Sequence, residues 1–528
     1  MSEAPPFRDF PSLVADQARR RPQAIAIIDG SRRLAYGEFD RRIDRAAAAL
    51  QRDGFTPRQV VAICAATSSD YLVVFAGALR AGLTVAPLAP GSTAEQLAAM
   101  AADADAVAVF VDAAVAASSV RWPASVRIVH LDVPDGERSP TNLPFEAWLG
   151  DPDAAPPRPV TIDPRSTFNL IYSSGTTGTP KGIEQSHEMR WGHIHRATIF
   201  GYGPDAVTLV ATPLYSNTTL VAAIPTLAHG GCLVLMARFD VAAFLELAQR
   251  HRATHAMLVP VQYQRLMAYP QFDAFDLSSF QCKFSTSAPF HAALKADVLR
   301  RWPGALVEYY GMTEGGGTCV LQAHLRPDKL HTVGQPAEGH DIRLIDEDGR
   351  EVPRAPGGAS AAAGEVVGRS PGMMMSGYHK RPELTAQAEW HDAQGRRYIR
   401  TGDIGRFDDE GFLVLVDRRK DMIISGGFNI YPSDLEAVLR QHPAVADVAV
   451  VGVASEAWGE TPVAFVVRRA GAPETAEALR AWANERVGKT QRIAGLRLVE
   501  DLPRSAIGKI LKRELRDAWT RESAAPGE

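Results

Sequence analysis

From Arg58 onward, short β-branched runs alternate with Ala- and Leu-rich stretches of helical spacing. "VVAICA" (Val60–Ala65) reads as a strand, and "DYLVVFAGALRAG" (Asp70–Gly82) as a helix stopped by glycine. "LTVAPLAP" is strand-like again, "TAEQLAAMAADAD" is helical with a Thr/Gln capping pattern, and "AVAVFV" (Ala106–Val111) follows as a strand. The rhythm returns in Cys232–Pro260. Such alternation predicts an α/β fold with largely parallel sheets.

The chain is long enough for about three or four units at ~150 residues each. A hydrophobic share of 46% and a charged share of 22% are those of an ordinary globular protein. A net charge of −4 gives no electrostatic footprint for nucleic acid. Cys64, Cys232, Cys282 and Cys319 form no CxxC pair, so reduced thiols are expected in place of a zinc site or a redox dithiol. The N-terminal "MSEAPPFRDF" has no apolar signal region, and the apolar stretch Leu209–Met236 is interrupted by Ser216, Asn217, Thr218, Thr219 and His229. A cytoplasmic protein without a membrane span is expected, either a monomer or a homodimer. Asp151–Pro164 reads as a surface linker and Ala355–Gly364 as a flexible loop. After Asp417–Lys420 the pattern becomes a compact βααβ-like one of about a hundred residues, a separate domain.

The chemistry is concentrated in "IYSSGTTGTPKGIEQSH" (Ile171–His187). Glycines let backbone N–H groups turn toward an anion, hydroxyls add donors, and Lys181 adds a point charge. The stretch reads as a loop that grips polyphosphate; alone it can also be a polar surface turn. It is not a P-loop, because Thr179 and Pro180 separate Gly178 from Lys181. "YYGMTEGGG" (Tyr309–Gly317) offers an aromatic face for a base, Thr313 for a phosphate oxygen and Glu314 for Mg²⁺. "YIRTGDIG" (Tyr398–Gly405) sets Asp403 in a turn, where a carboxylate can accept from both ribose hydroxyls. "PRSAIGKILKREL" (Pro503–Leu515) sets Lys509 after a glycine. Singly, each has a structural alternative: core tyrosines, a turn aspartate, a solvated lysine.

Together and in this order, "YSSGTTGTPKG", "YGMTE", "TGD", "DRRKDMIISGGFNIYPSDLE" and "GKI" resemble the adenylate-forming superfamily of acyl-CoA synthetases, peptide-synthetase adenylation domains and beetle luciferases. The resemblance covers about residues 10 to 520. It implies a large N-terminal domain of packed α/β sheets (1–416), a hinge (417–420) and a small mobile α+β domain (421–528). It implies two half-reactions: a carboxylate attacks the α-phosphate of ATP, then a thiol displaces AMP. By motif, Ser173, Ser174, Gly175, Thr176, Thr177, Gly178, Thr179 and Lys181 would grip the β- and γ-phosphates. Ser287, Ala288 and Pro289, with Glu308, Tyr309, Tyr310, Gly311 and Met312, would line the adenine. Thr313 would contact the α-phosphate, Glu314 the metal, and Asp403 and Arg418 the ribose. Lys420 matches the hinge, Lys509 the lysine that serves adenylation, and Gly426 and Gly427 would border the thiol channel. ATP, Mg²⁺ and coenzyme A are the implied cofactor and co-substrates.

"TPLYSNTTL" (Thr212–Leu220) lacks the acid that pairs with an amino-acid substrate's ammonium in relatives, and no carrier domain is expected after Lys509. A plain carboxylic acid going to a CoA thioester is therefore expected, an acid–thiol ligase. Tyr215 and Ser216 stand where many CoA ligases have an aromatic residue and a histidine, so Ser216 is given no catalytic role. Gly315, Gly316 and Gly317 suggest room for a long or bulky acid, with Tyr215, Leu258, Val261 and Tyr263 as further walls. This leans toward a fatty or other hydrophobic acid and lipid metabolism, with an arylpropenoic or benzoic acid next. An acyl-AMP ligase that loads a carrier protein and a degenerate nucleotide-binding protein are the other readings.

Overall fold

The computed structural model describes residues 5–132, 143–173, 181–355, 357–425, 428–456, 458–505 and 508–523. The alternation resolves as expected. Strands form at Val60–Cys64, Thr84–Pro87 and Ala106–Val111, and helices at Ser69–Arg80 and Ala94–Asp103. Local chemistry sets the helix ends. Ser68 accepts from the Tyr71 N–H, and Thr93 and Gln96 form a reciprocal capping box. Gly82 takes φ +78° just past the first of these helices, a conformation in which a Cβ is disfavoured.

The chain divides into two units. The first is Met1–Leu330 with Ala337–Asp341 and Gly368–Ile399. One of its sheets runs Gly377–Tyr378, Lys181–Ser186, Thr167–Ser173, Thr84–Pro87, Val60–Cys64, Ala106–Val111, Arg127–His130. The last four strands are parallel, whereas Thr167–Ser173, Lys181–Ser186 and Gly377–Tyr378 pair antiparallel. The other sheet has a parallel centre, Ala305–Tyr310, Cys282–Ser285, His255–Leu258, Val207–Val210, Cys232–Leu235, Ile25–Asp29, with Cys319–Gln322 and Arg32–Ala35 pairing antiparallel on either side. Apolar residues of the helices Tyr36–Arg52 and Ser69–Arg80 join those of both sheets in one core. The helices meet closely at Gly77, where a Cβ would lie 2.6 Å from that of Ala46.

The second unit is His331–Pro336, Ile342–Val367 and Arg400–Glu528. It does not begin at the expected 416/417 boundary. It includes most of a sheet in which Gly364–Arg369 and Leu413–Arg418 flank Arg397–Phe407. Its C-terminal part has its own sheet, built on the long antiparallel pair Val445–Ser455 and Gly459–Arg468. Gly495–Val499 adds in parallel, and the helices Pro432–Arg440 and Ala476–Asn484 supply apolar residues to the core.

Among the described residues no helix is long and apolar enough to cross a membrane. The apolar stretch Leu209–Met236 splits into a strand end, the 12-residue helix Asn217–Ala228 and the strand Cys232–Leu235. None of the four cysteines is in a disulfide. Burial pushes the Cys64 and Cys282 thiols up to about 12.

Candidate active site

The Ser/Thr/Gly stretch joins two antiparallel strands, with Ser173 and Lys181 facing each other in register. The expected phosphate-gripping residues Ser174, Gly175, Thr176, Thr177, Gly178 and Thr179 lie outside the described residues. The Lys181 ammonium sits 5.4 Å from the centre of the Tyr378 ring. Tyr378 comes from the short strand that pairs with Lys181–Ser186, opposite Ile183. Its hydroxyl donates to the Glu314 carboxylate at 2.8 Å. Burial and the neighbouring carboxylate both raise the phenol's pKa, so it stays a donor.

Backbone bonds hold the turn that carries Glu314. The Gly315 N–H donates to the Met312 carbonyl at 3.0 Å and the Met375 N–H to the Glu314 carbonyl at 2.7 Å. The Gln185 side chain donates to the Thr313 carbonyl at 2.6 Å. The structure thus brings Lys181, Thr313 and Glu314 to one place and adds Tyr378 and Gln185. Neither could be found from motif order, because both act through partners more than 60 residues away in sequence. Among the described residues no group of three or more His, Cys, Asp or Glu could hold a metal ion by itself. A single oriented carboxylate fits Mg²⁺, which takes its other ligands from phosphates and water. Glu314 is the residue that would hold it.

The adenine-side expectations need correction at two side chains. Glu308 is buried in an ion pair with Lys295, whose ammonium also donates to the Leu330 carbonyl at 2.8 Å. Burial pushes Glu308 up to about 7 against the pull of Lys295. Tyr309 stacks on Phe284 at 5.7 Å and meets Phe200 edge-on. Both side chains are taken up by the protein's own packing. Tyr310, Gly311 and Met312 follow on the strand end and turn, where they are half-buried or exposed. Ser287 has φ +80°, rare for a residue with a Cβ, and its hydroxyl pairs with that of Thr218 at 2.7 Å. Ala288 is half-buried and Pro289 exposed beside it.

The room expected at Gly315 and Gly316 is filled. A Cβ on Gly315 would lie 2.2 Å from the Met373 carbonyl oxygen. On Gly316 it would lie 2.6 Å from the Ile399 Cβ and 2.9 Å from the Gly368 carbonyl. Gly315, Gly316 and Gly317 all have positive φ, at 71°, 86° and 143°. All three have a backbone conformation that favours glycine, and Gly315 and Gly316 have close neighbours as well. Tyr263 is likewise a core residue, bonded to the Phe284 carbonyl at 2.9 Å and stacked on Phe290. Leu258 is fully buried, whereas Tyr215 and Val261 are half-buried. Ser216 caps the helix Asn217–Ala228, its hydroxyl accepting from the Thr218 N–H at 3.3 Å.

In the second unit Asp403 and Arg418 face each other across an antiparallel pair, and Nε lies 3.1 Å from Oδ1. The Asp403 N–H donates to the Thr401 hydroxyl at 3.0 Å. Lys420 is exposed two residues after Arg418. The expected channel glycines Gly426 and Gly427 lie outside the described residues. Lys509 is exposed on a turn closed by its own backbone: the Ser505 N–H donates to the Lys509 carbonyl at 2.8 Å, and the Lys509 N–H to the Ser505 hydroxyl at 3.1 Å.

Residues 14–379 match the family model described as AMP-binding enzyme, and residues 434–509 the AMP-binding enzyme C-terminal domain. The chain belongs to the AMP-binding enzyme family. A 4-coumarate–CoA ligase-like protein of Oryza sativa subsp. japonica is 34% identical over 96% of this chain and 92% of its own. A feruloyl-CoA synthase of an Amycolatopsis species is 34% identical over 95% of this chain and 97% of its own. Among solved structures, an amide bond synthetase from Marinactinospora thermotolerans superposes with a TM-score of 0.83 at 29% identity, covering 97% of this chain and 99% of that one. These likenesses place this AMP-binding enzyme in the carboxylate–CoA ligase branch of the adenylate-forming superfamily, as an AMP-forming acid–thiol ligase.

Proposed function

We propose that the enzyme activates an aryl or arylpropenoic acid through its acyl-AMP and passes the acyl group to coenzyme A, releasing AMP and pyrophosphate. The observation that carries adenylation is the Lys181–Tyr378–Glu314 arrangement, a cation and an oriented carboxylate at the mouth of a hydroxyl- and glycine-rich hairpin. The acid class rests on relatives named for 4-coumarate and ferulate at 34% identity. It replaces the fatty acid as the leading reading, since Gly315 and Gly316, two of the glycines that argued for a long pocket, are packed against the protein's own atoms.

In this reading the substrate carboxylate oxygen attacks the α-phosphorus and the pyrophosphate leaves. Lys181 neutralises the outgoing phosphates, Thr313 holds an α-phosphate oxygen and Glu314 holds Mg²⁺. The ion supplies charge neutralisation at the phosphates when bound. Asp403 and Arg418 hold the ribose, and Lys509 stabilises the charge that grows on the α-phosphoryl group. Motion about Lys420 then exchanges the lysine for a thiol channel past Gly426 and Gly427, a hinge mechanism. The thiolate attacks the acyl carbon and AMP departs.

The likeness to an amide bond synthetase favours a second reading, in which an amine takes the acyl group from the same acyl-AMP. One experiment separates them. A panel of hydroxycinnamic, benzoic and fatty acids is assayed for pyrophosphate release with CoA, with an amine, or with neither, and the products are identified by mass. Acyl-CoA from aryl acids is the expected result. Amide formation in preference to thioester would favour the second reading, and preference for fatty acids would return the first to a lipid substrate.

A further inference from the structure

Behind Thr313 lies a cation that no motif explains. Arg190 is 1% exposed, and no carboxylate among the described residues opposes its charge. Its guanidinium lies 5.6 Å from the Phe168 ring centre and is otherwise met by amide oxygens. Nε and Nη2 donate to Asn169 Oδ1 at 3.0 and 2.8 Å, and Nη2 also donates to Gln185 Oε1. Asn169 Nδ2 donates to the same Gln185 oxygen at 2.9 Å. Asn169 and Gln185 are fully buried. A buried, uncompensated charge is costly, and burial pulls the Arg190 pKa down to about 9.

The network has only one consistent direction. A guanidinium donates and cannot accept. Both amide oxygens must therefore face Arg190, and the Gln185 NH₂ must face away. There it donates to the Thr313 carbonyl at 2.6 Å, with the side-chain oxygen Oδ1 of Asn217 at 3.4 Å. The next carbonyl, that of Glu314, is held by the Met375 N–H at 2.7 Å. Two successive peptide groups are thus clamped; the Glu314 side chain lies between them and that of Thr313 directly before the first.

We propose that Arg190, Asn169 and Gln185 form a positioning relay, in which the guanidinium fixes the orientation of the Gln185 amide so that it locks the Thr313 carbonyl and aims Thr313 and Glu314 at the α-phosphate and the metal. The inference rests on the adenylation reading and adds to it three residues that touch no substrate. The relay acts on geometry, so its loss falls on the transition state rather than on ATP binding. A misplacement of about 1 Å costs on the order of 10²-fold in rate.

Gln185→Glu separates this role from a merely structural one. The carboxylate keeps an acceptor oxygen toward both Arg190 and Asn169 and supplies the missing counter-charge, but it cannot donate to the Thr313 carbonyl. The variant is expected to melt at or above the wild-type temperature. Its kcat for acid-dependent pyrophosphate release should fall about 10²-fold, with KM for ATP within about threefold. Gln185→Met, close in volume and without a donor, carries the same test should the carboxylate fail to fold. A kcat within about threefold of wild type in either folded variant would overturn the relay. So would losses that simply follow melting temperature. Wild-type enzyme that releases no pyrophosphate with any acid of the panel would overturn the adenylation reading, and this inference with it.

Discussion

The Tyr378 hydroxyl donates to the Glu314 carboxylate at 2.8 Å, and the face of the same ring receives the Lys181 ammonium at 5.4 Å. One side chain thus orders both charges that the phosphates would meet. Tyr378→Phe removes the first contact and keeps the second. A hydrogen bond to a charged group contributes about 1.5–3 kcal/mol, so kcat/KM for ATP should fall about tenfold or more. Tyr378→Leu also removes the ring, and should lose a further ~0.5–2 kcal/mol. Kinetics with ATP and Mg²⁺ varied check this, and a Phe variant equal to wild type would leave Glu314 ordered by its backbone alone.

Lys509 stands on a turn that bonds to itself through Ser505, with Arg504 Nη1 donating to the Gly508 carbonyl at 2.8 Å. Lys509→Ala should lower acyl-AMP formation by ~10²–10³-fold, the range for removing one preorganised donor. Thioester formation from supplied acyl-AMP should stay near wild type. Single-turnover assays of the two half-reactions make the comparison. Equal losses in both would mean that Lys509 serves more than one arrangement of the domains.

The parts legible in the sequence are those whose causes are local. The helix Ser69–Arg80 follows from apolar spacing and the Ser68 cap, and the Thr93–Gln96 capping box lies within four residues. Lys181, Thr313 and Glu314 could be proposed from the sequence because their residue types suit phosphate and metal chemistry and stand in motif order. What fills the space beside a glycine was not. "GGG" shows three missing side chains, but only the fold brings Met373 and Ile399 against Gly315 and Gly316. The same limit hides Gln185, whose function depends on Asn169, Arg190 and Thr313, the last of these 128 residues away. Glu308 was misplaced for this reason too, since its partner Lys295 lies on a helix that the motif does not include.

Gly316 now predicts the opposite of a pocket wall. It has φ +86°, and a Cβ there would lie 2.6 Å from that of Ile399. A strained backbone of this kind costs on the order of 1–3 kcal/mol before any clash is counted. Gly316→Ala should therefore lower the melting temperature and reduce activity on short, long and aryl acids by the same factor. A comparison of kcat/KM across such a series is the check. A loss graded by acid length at unchanged stability would restore the glycine to the acyl pocket.

His187 and the half-buried His340 are among the histidines that make the first unit sensitive to acid. His187 is 3% exposed with its ring edge-on to Phe168, and burial drives its pKa from 6.5 to about 4, with Asp9 and Asp163 only partly opposing. His340 accepts the Thr318 N–H at Nδ1, 2.8 Å away, and burial with the neighbouring Arg196 lowers it to about 4. Both are neutral in the folded chain and take up a proton on unfolding once the pH is below 6.5. The unfolded state then binds more protons, so stability falls as pH falls from 6.5 toward 4. Each histidine contributes a slope of up to about 1.4 kcal/mol per pH unit. His340→Gln keeps an acceptor for Thr318 and does not titrate, so it should remove about half of the loss these two groups cause. Urea unfolding between about pH 7.5 and pH 5 measures both slopes. A variant with the wild-type slope would mean that the His340 ring is already protonated or solvated in the folded enzyme.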